Sequence, residues 1–313
     1  MIVLYVILAA AALVFGGAYI CCRMAFGVDR AQTLDSHNLM QGEQYDPLHD
    51  EMMAMVLEAD ALVYEDVWMV NREGLRLHAR YYEVDPKAPL ELMFHGYRAN
   101  AVRDFSGGIT REIARGWNLL LVDQRAHGQS EGRYLSFGVK ERYDCLDWIN
   151  WANGRFGADK SIVLAGISMG AATVLMAAGL ELPDNVRGVL ADSGYTSPRA
   201  IIRSVMRSMH CPAAVYPLLR FGGRLYGGFD IDSASAEGAM ADCRVPVLFV
   251  HGEDDRFVPC EMGRRNWAAC TADKTLLTIP GAGHGLSYLI DKERYETVLT
   301  QFLNTICPEA RAK

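Results

Sequence analysis

From Val67 onward, short apolar runs alternate with stretches long enough for helices, and this alternation restricts the fold more than any other feature of the chain. The runs cover residues 67–70, 75–82, 90–94, 119–122, 162–165, 186–191, 245–250 and 275–279. Helix-like segments lie between several of them, at 112–117, 139–152 and 169–180. Strands alternating with helices build a mostly parallel sheet covered on both faces. The pattern predicts an α/β fold with an eight-stranded, mostly parallel sheet. Asn71 to Gly74 reads as a hairpin turn between the first two runs. Sheets of this kind bind ligands at the carboxyl ends of their strands.

One strand end carries a reactive motif. The run ending at Ala165 leads into Gly166-Ile167-Ser168-Met169-Gly170, and Ala171 to Val174 then open a helix. A Gly-x-Ser-x-Gly pentapeptide between strand and helix is a turn tight enough to exclude a Cβ at its flanks. It lifts the Ser168 hydroxyl clear of the sheet and sets a helix N-terminus, with its free N–H groups, beneath a reacting carbonyl. The Met169 N–H is then one expected oxyanion donor.

A serine nucleophile needs a base, and the base needs a carboxylate to orient it. In this chain order the acid and then the histidine follow the serine. His284 lies in Pro280-Gly-Ala-Gly-His-Gly285, directly after the last apolar run, with glycines on both sides that permit close approach. It is the expected base. The acid lies in the loop after the preceding strand, where Glu253, Asp254 and Asp255 compete and spacing alone does not choose.

With these residues in view, residues 67–307 resemble the α/β-hydrolase family, particularly its membrane-anchored bacterial members near the serine aminopeptidase-like hydrolases. The resemblance rests on Phe94-His95-Gly96-Tyr97, on the stretch Val122 to Ser130, on the turn at Ser168, and on the His251 and His284 loops. The family's acid motif, H-G-x-x-D-x-x-V-P, is matched by His251, Gly252, Asp255, Val258 and Pro259, which implies Asp255 rather than Asp254. It also implies the Tyr97 N–H as second oxyanion donor. His95 reads as a structural histidine that holds the loop. Asp123, Arg125, His127, Asp192 and Ser193 read as loop scaffolding. The family places a cap over the active site between the sixth and seventh strands, here about 194–244. Met206, Met209, Tyr216, Leu219, Phe221, Leu225 and Tyr226 would supply its apolar underside.

The first 22 residues contain no charged side chain, and as a helix they span about 33 Å, enough for a hydrocarbon core of about 30 Å. A cleaved signal would want a basic residue before the apolar run, and none is present. Residues 1–23 therefore read as a single-pass transmembrane anchor. Arg23 and Arg30 follow it, which places the large C-terminal part in the cytoplasm by the positive-inside bias. Residues 24–60 read as an acidic connector. Nine Asp or Glu and no Lys or Arg fall between Ala31 and Asn71, so the net charge of −7 describes mainly this segment. Within it, Leu48, Met52, Met53, Met55, Val56, Ala59 and Leu62 share one helical face. Residues 61–307 form the hydrolase domain and 308–313 a tail.

Half of the 313 residues are hydrophobic and 22% are charged, which excludes a disordered chain, and the acidity excludes a nucleic-acid binder. The eight cysteines show no Cys-x-x-Cys spacing, so no metal site is expected, and no dinucleotide or phosphate-loop motif implies a cofactor. The expected activity is hydrolysis of a carboxylic ester or thioester with an apolar, lipid-like acyl group, through an acyl-enzyme on Ser168. The alternatives are an exopeptidase or amidase on the same residues, or a membrane-tethered binding protein without catalysis.

Overall fold

The computed structural model describes residues 1–308, so the expected tail lies outside the described residues except for Pro308. One sheet holds eight strands: β1 (Glu65–Val70), β2 (Arg76–Tyr82), β3 (Leu90–Phe94), β4 (Asn118–Val122), β5 (Ile162–Ile167), β6 (Val186–Asp192), β7 (Val247–Gly252) and β8 (Lys274–Ile279). Their spatial order is β1-β2-β4-β3-β5-β6-β7-β8. β2 runs antiparallel to both β1 and β4, and every other pairing is parallel. Each apolar run of the sequence falls in one of these strands, apart from Leu75, Val245 and Pro246, which lie just before β2 and β7. The turn from Asn71 to Gly74 is closed by Asn71 Oδ1, which accepts from the N–H groups of Glu73 and Leu75 at 3.0 and 2.9 Å.

The helices are α1 (Ile2–Phe26), α2 (Arg30–Leu34), α3 (His49–Asp60), α4 (Ala101–Ala114), α5 (Glu141–Phe156), α6 (Met169–Ala178), α7 (Pro198–Ser208), α8 (Val215–Gly222), α9 (Ala236–Ala239), α10 (Cys260–Ala269), α11 (Ser287–Ile290) and α12 (Lys292–Ile306). The expected helix at 112–117 is the tail of α4. It starts earlier because the Asn100 side chain caps the N–H groups of Val102 and Arg103, and it stops before Gly116, whose φ is +89°.

Alternation along each strand divides the core between the two faces of the sheet. Leu92 joins Leu120, Leu164 and Val189 in one cluster, whereas Met93 joins Leu121, Ala165 and Leu190 in the other. Each of these Leu, Val and Met side chains contributes about 1.5–3 kcal/mol when fully buried. α6 is buried all round, which explains its run of Ala, Val, Leu and Met without a polar face.

The strand register gathers the loops at one edge. Phe94 is level with both Val122 and Gly166, Gly166 with Ala191, and Ala191 with Phe249. The segments after β3, β4, β5, β6, β7 and β8 therefore emerge side by side, and they carry the polar residues singled out in the sequence.

The stretch 24–60 is laid along the domain. Leu135 N–H donates to Phe26 O at 2.9 Å, and Gly27 forms an isolated antiparallel bridge with Tyr134. Thr33 Oγ1 accepts from Gly128 N at 2.9 Å. The acidic side chains meet basic partners far along the chain: Glu43 with Arg256, Glu51 with Lys292, Asp60 with Arg80, and just beyond them Glu65 with Arg155. α3 packs on α4, with Val56 and Ala59 buried.

Candidate active site

Ser168 stands between β5 and α6 with φ +56° and ψ −110°, a conformation that costs an L-residue roughly 1–3 kcal/mol. Its own N–H holds the turn by donating to Asp192 O at 2.8 Å. The flanking glycines follow from packing. A Cβ on Gly166 would lie 2.3 Å from Gly170 C, and one on Gly170 would lie 1.7 Å from Phe94 O.

His284 Nε2 is 2.9 Å from Ser168 Oγ, and His284 Nδ1 is 2.7 Å from Asp255 Oδ2. The three side chains thus form one hydrogen-bonded line, almost entirely buried. Asp255 Oδ1 accepts from the N–H groups of Phe257 and Val258, both at 2.8 Å. Burial pushes the Asp255 pKa up, but hydrogen bonds from His251 and His284 outweigh it and hold the carboxyl well below the usual range. Of the three competing acids, Asp255 is the one brought to His284. Glu253 instead accepts from Thr278 Oγ1 at 2.6 Å, and the Asp254 carbonyl accepts from Gln44 Nε2 at 3.1 Å.

The loop after β3 closes over the serine. A Cβ on Gly96 would stand 3.5 Å from Ser168 Cβ. The N–H groups of Tyr97 and Met169 have no hydrogen-bond acceptor among the described residues. His95 Nδ1 donates to Gly96 O at 2.8 Å and its Nε2 accepts from Gln124 N at 3.1 Å, so this ring pins two loops together and stands apart from Ser168 and His284. Burial lowers its pKa, which keeps it neutral. His127 Nε2 accepts from Arg98 N at 3.2 Å. Arg125 pairs with Asp144, and Asp123 with His78. Ser193 Oγ donates to Asp192 Oδ1 at 2.9 Å.

The pocket beside Ser168 departs from the sequence reading. Its wall comes from Met40, Tyr45, Met52, Tyr97, Ala99, Arg103, Asp104, Ile167, Phe257 and Leu286, with no residue from the insert between β6 and β7. The expected cap segment is present as α7, α8, a π-helical turn (Gly223–Gly227) and α9, and none of its residues lines this pocket. Met206, Tyr216 and Leu219 are buried, while Met209, Phe221 and Leu225 are exposed. The roof is the stretch after α2. Tyr45 Oη donates to His284 O at 3.0 Å, and Gln44 lies against Gly283. No local motif marks Met40, Tyr45 or Met52 as pocket residues, because they precede Ser168 by more than a hundred positions.

The fold and the arrangement at the strand ends define an α/β hydrolase, and residues 92–298 match the profile of the alpha/beta hydrolase family, to which the chain belongs. It is similar to the uncharacterized protein YqkD of Bacillus subtilis, 28% identical over 61% of this chain and 63% of that one. The alpha/beta hydrolase domain-containing protein WAV2 of Arabidopsis thaliana is 26% identical over 80% of this chain and 82% of its own. The lysophosphatidylserine lipase ABHD12 of Rattus norvegicus is 26% identical over 78% of this chain and 63% of its own. The matches to YqkD and ABHD12 thus span less than two thirds of those proteins. Among solved structures, the esterase Pf2001 of Pyrococcus furiosus superposes with a TM-score of 0.60 over 86% of this chain and 98% of its own, at 17% identity, an agreement of fold.

Proposed function

We propose that this chain is a serine hydrolase that cleaves a carboxylic ester or thioester carrying an apolar acyl group. The observation that carries the reading is the buried line Ser168–His284–Asp255 at the edge of a largely apolar pocket. Ser168 Oγ attacks the substrate carbonyl while its proton passes to His284 Nε2. Asp255, held ionised, stabilises the imidazolium that forms. The N–H groups of Tyr97 and Met169 receive the developing oxyanion. Collapse breaks the bond to the leaving group, which takes the proton from His284 and departs as an alcohol or thiol. Water then attacks the acyl-enzyme by the same route and returns Ser168.

Met40, Met52, Ile167, Phe257 and Leu286 suit an aliphatic chain. The relative named a lysophosphatidylserine lipase fits a lipid-like substrate of this kind. An exopeptidase would need a free carboxylate for the substrate amine. The pocket's carboxylate, Asp104, is engaged by Gly96 N at 2.7 Å and by Arg103 at 2.9 Å, which favours the ester reading. α1 is long and apolar enough to cross a membrane, and we read it as a single-pass anchor with the domain on the cytoplasmic side.

A fluorophosphonate probe should label Ser168, and Ser168→Ala should abolish both labelling and turnover of a medium-chain ester. Unchanged ester hydrolysis by that variant would refute the assignment. A reporter fused after Lys313 tests the sidedness.

A further inference from the structure

α1 is not a free tether, because its second half is docked on the insert between β6 and β7. Residues 1–10 are exposed throughout, whereas Ala18, Cys22 and Phe26 are buried. The Phe15 and Phe221 rings meet edge to face at 5.6 Å, and those of Tyr19 and Tyr226 at 5.3 Å. Tyr226 Oη donates to Phe15 O at 3.0 Å. The two helices touch backbone to backbone, since a Cβ on Gly222 would fall 2.3 Å from Ala18 O.

This docking sets a limit on depth. The undocked part of α1, residues 2–14, is about 20 Å long at about 1.5 Å per residue. A hydrocarbon core is about 30 Å thick. The free half alone cannot cross it. If α1 spans the core, the stretch from Phe15 to Cys22 lies inside it and carries the insert along. The insert's surface beside that stretch is apolar where it faces outward: Phe221 is 37% exposed and Leu225 48%. Its neighbouring charges are paired, Arg220 with Asp230 and Asp232 and Arg224 with Asp230. Paired charges beside exposed aromatic and aliphatic groups suit the headgroup boundary.

We infer that α8 and the following π-helical turn, through Phe221, Leu225 and Tyr226, are embedded in the bilayer beside α1 and bind lipid acyl chains. The occupant of this face is the lipid surface itself. The inference rests on the reading of α1 as a membrane anchor and is independent of the chemistry at Ser168. It also places the pocket near the interface, because Tyr97, in the pocket wall, donates through its hydroxyl to Ala25 O at the end of the same helix.

The test uses the full chain in vesicles of phosphatidylcholine and phosphatidylglycerol that contain a phosphatidylcholine with a diazirine in mid-chain. After irradiation, lipid adducts are mapped by mass spectrometry. Adducts within residues 2–14 and also within 215–229 are expected. The double variant Phe221→Asp, Leu225→Asp should lose those at 215–229, keep those at 2–14, and still react with fluorophosphonate at Ser168. Adducts confined to α1 would overturn the embedded insert while leaving the anchor intact. An absence of adducts in α1 would overturn the anchor reading as well.

Discussion

Arg98 grips Gly27. Its guanidinium donates to the Gly27 carbonyl through Nε at 3.0 Å and Nη2 at 2.7 Å, and to Met24 O at 2.6 Å. The end of α1 is thereby joined to the residue that follows Tyr97. Arg98 itself has φ +50°, a conformation that its side chain's three bonds help to hold. Arg98→Ala should lower kcat on a soluble ester by about tenfold, a part of the roughly 10²–10³ lost with an oxyanion donor. KM should change little, and Arg98→Lys should recover part of the loss. Steady-state kinetics on the full chain in detergent read both parameters.

Asp255→Asn preserves the shape of the acid but not its charge. The expected fall in kcat is on the order of 10⁴, with the fold retained. The acid also links folding to pH. Its pKa is lower in the folded chain than the roughly 3.9 of an unfolded aspartate, so its stabilisation is present above that value and is lost as pH falls through the folded one. Melting curves should therefore run parallel for the two chains above about pH 5 and drop more steeply for the native chain than for Asp255→Asn below about pH 4.

Glu91 behaves in the opposite sense. It is fully buried in the middle of the sheet, and its Oε2 has no partner among the described residues. Burial first, and then the neighbouring Glu112, push its pKa up to about 8. The folded chain binds a proton here that the unfolded chain releases near pH 4.3, so stability declines from that pH upward and levels off above about 8. Glu91→Gln should remove this slope. Its Tm should match the native value near pH 4.5 and exceed it by a few degrees at pH 9.

Tyr45 joins the pocket wall to the His284 loop. Tyr45→Phe removes the hydrogen bond to His284 O, a change of about 0.5–1.5 kcal/mol, and should reduce kcat roughly two- to tenfold. Tyr45→Ala also removes ring surface from the pocket and should raise KM for long-chain esters more than for acetate esters. A chain-length series of p-nitrophenyl esters separates the two effects.

The sheet was legible because its strands are bounded apolar runs and their period is local. The turn at Ser168 was legible because two glycines and a serine are dictated by contacts within five residues and with the adjacent strand. His284 follows from its place after β8, whereas the place after β7 left Glu253, Asp254 and Asp255 in competition and only the resemblance to the family's acid motif pointed to Asp255. The pocket roof was not legible. Nine acidic residues with no Lys or Arg among them read as an acidic connector with one amphipathic helix, yet Glu43, Glu51 and Asp60 meet Arg256, Lys292 and Arg80 across the domain. Charge complementarity over such separations leaves no periodic trace. The docking of α1 was hidden for a related reason. Gly17, Ala18 and Gly222 make a close helix contact, but small residues in an apolar segment are compatible with many partners or none.

The stretch after α1 both ties the domain to its helix and walls the pocket at Met40 and Tyr45. A protease cut shortly after the helix would free this stretch at one end and loosen the chamber around Ser168, while the contacts of Ala18 with Gly222 and of Phe15 with Phe221 would still hold the helix on the domain. One segment thus sets both how the helix is held and how the pocket is walled, and a nicked chain would differ from the intact one in what it accepts while keeping its helix.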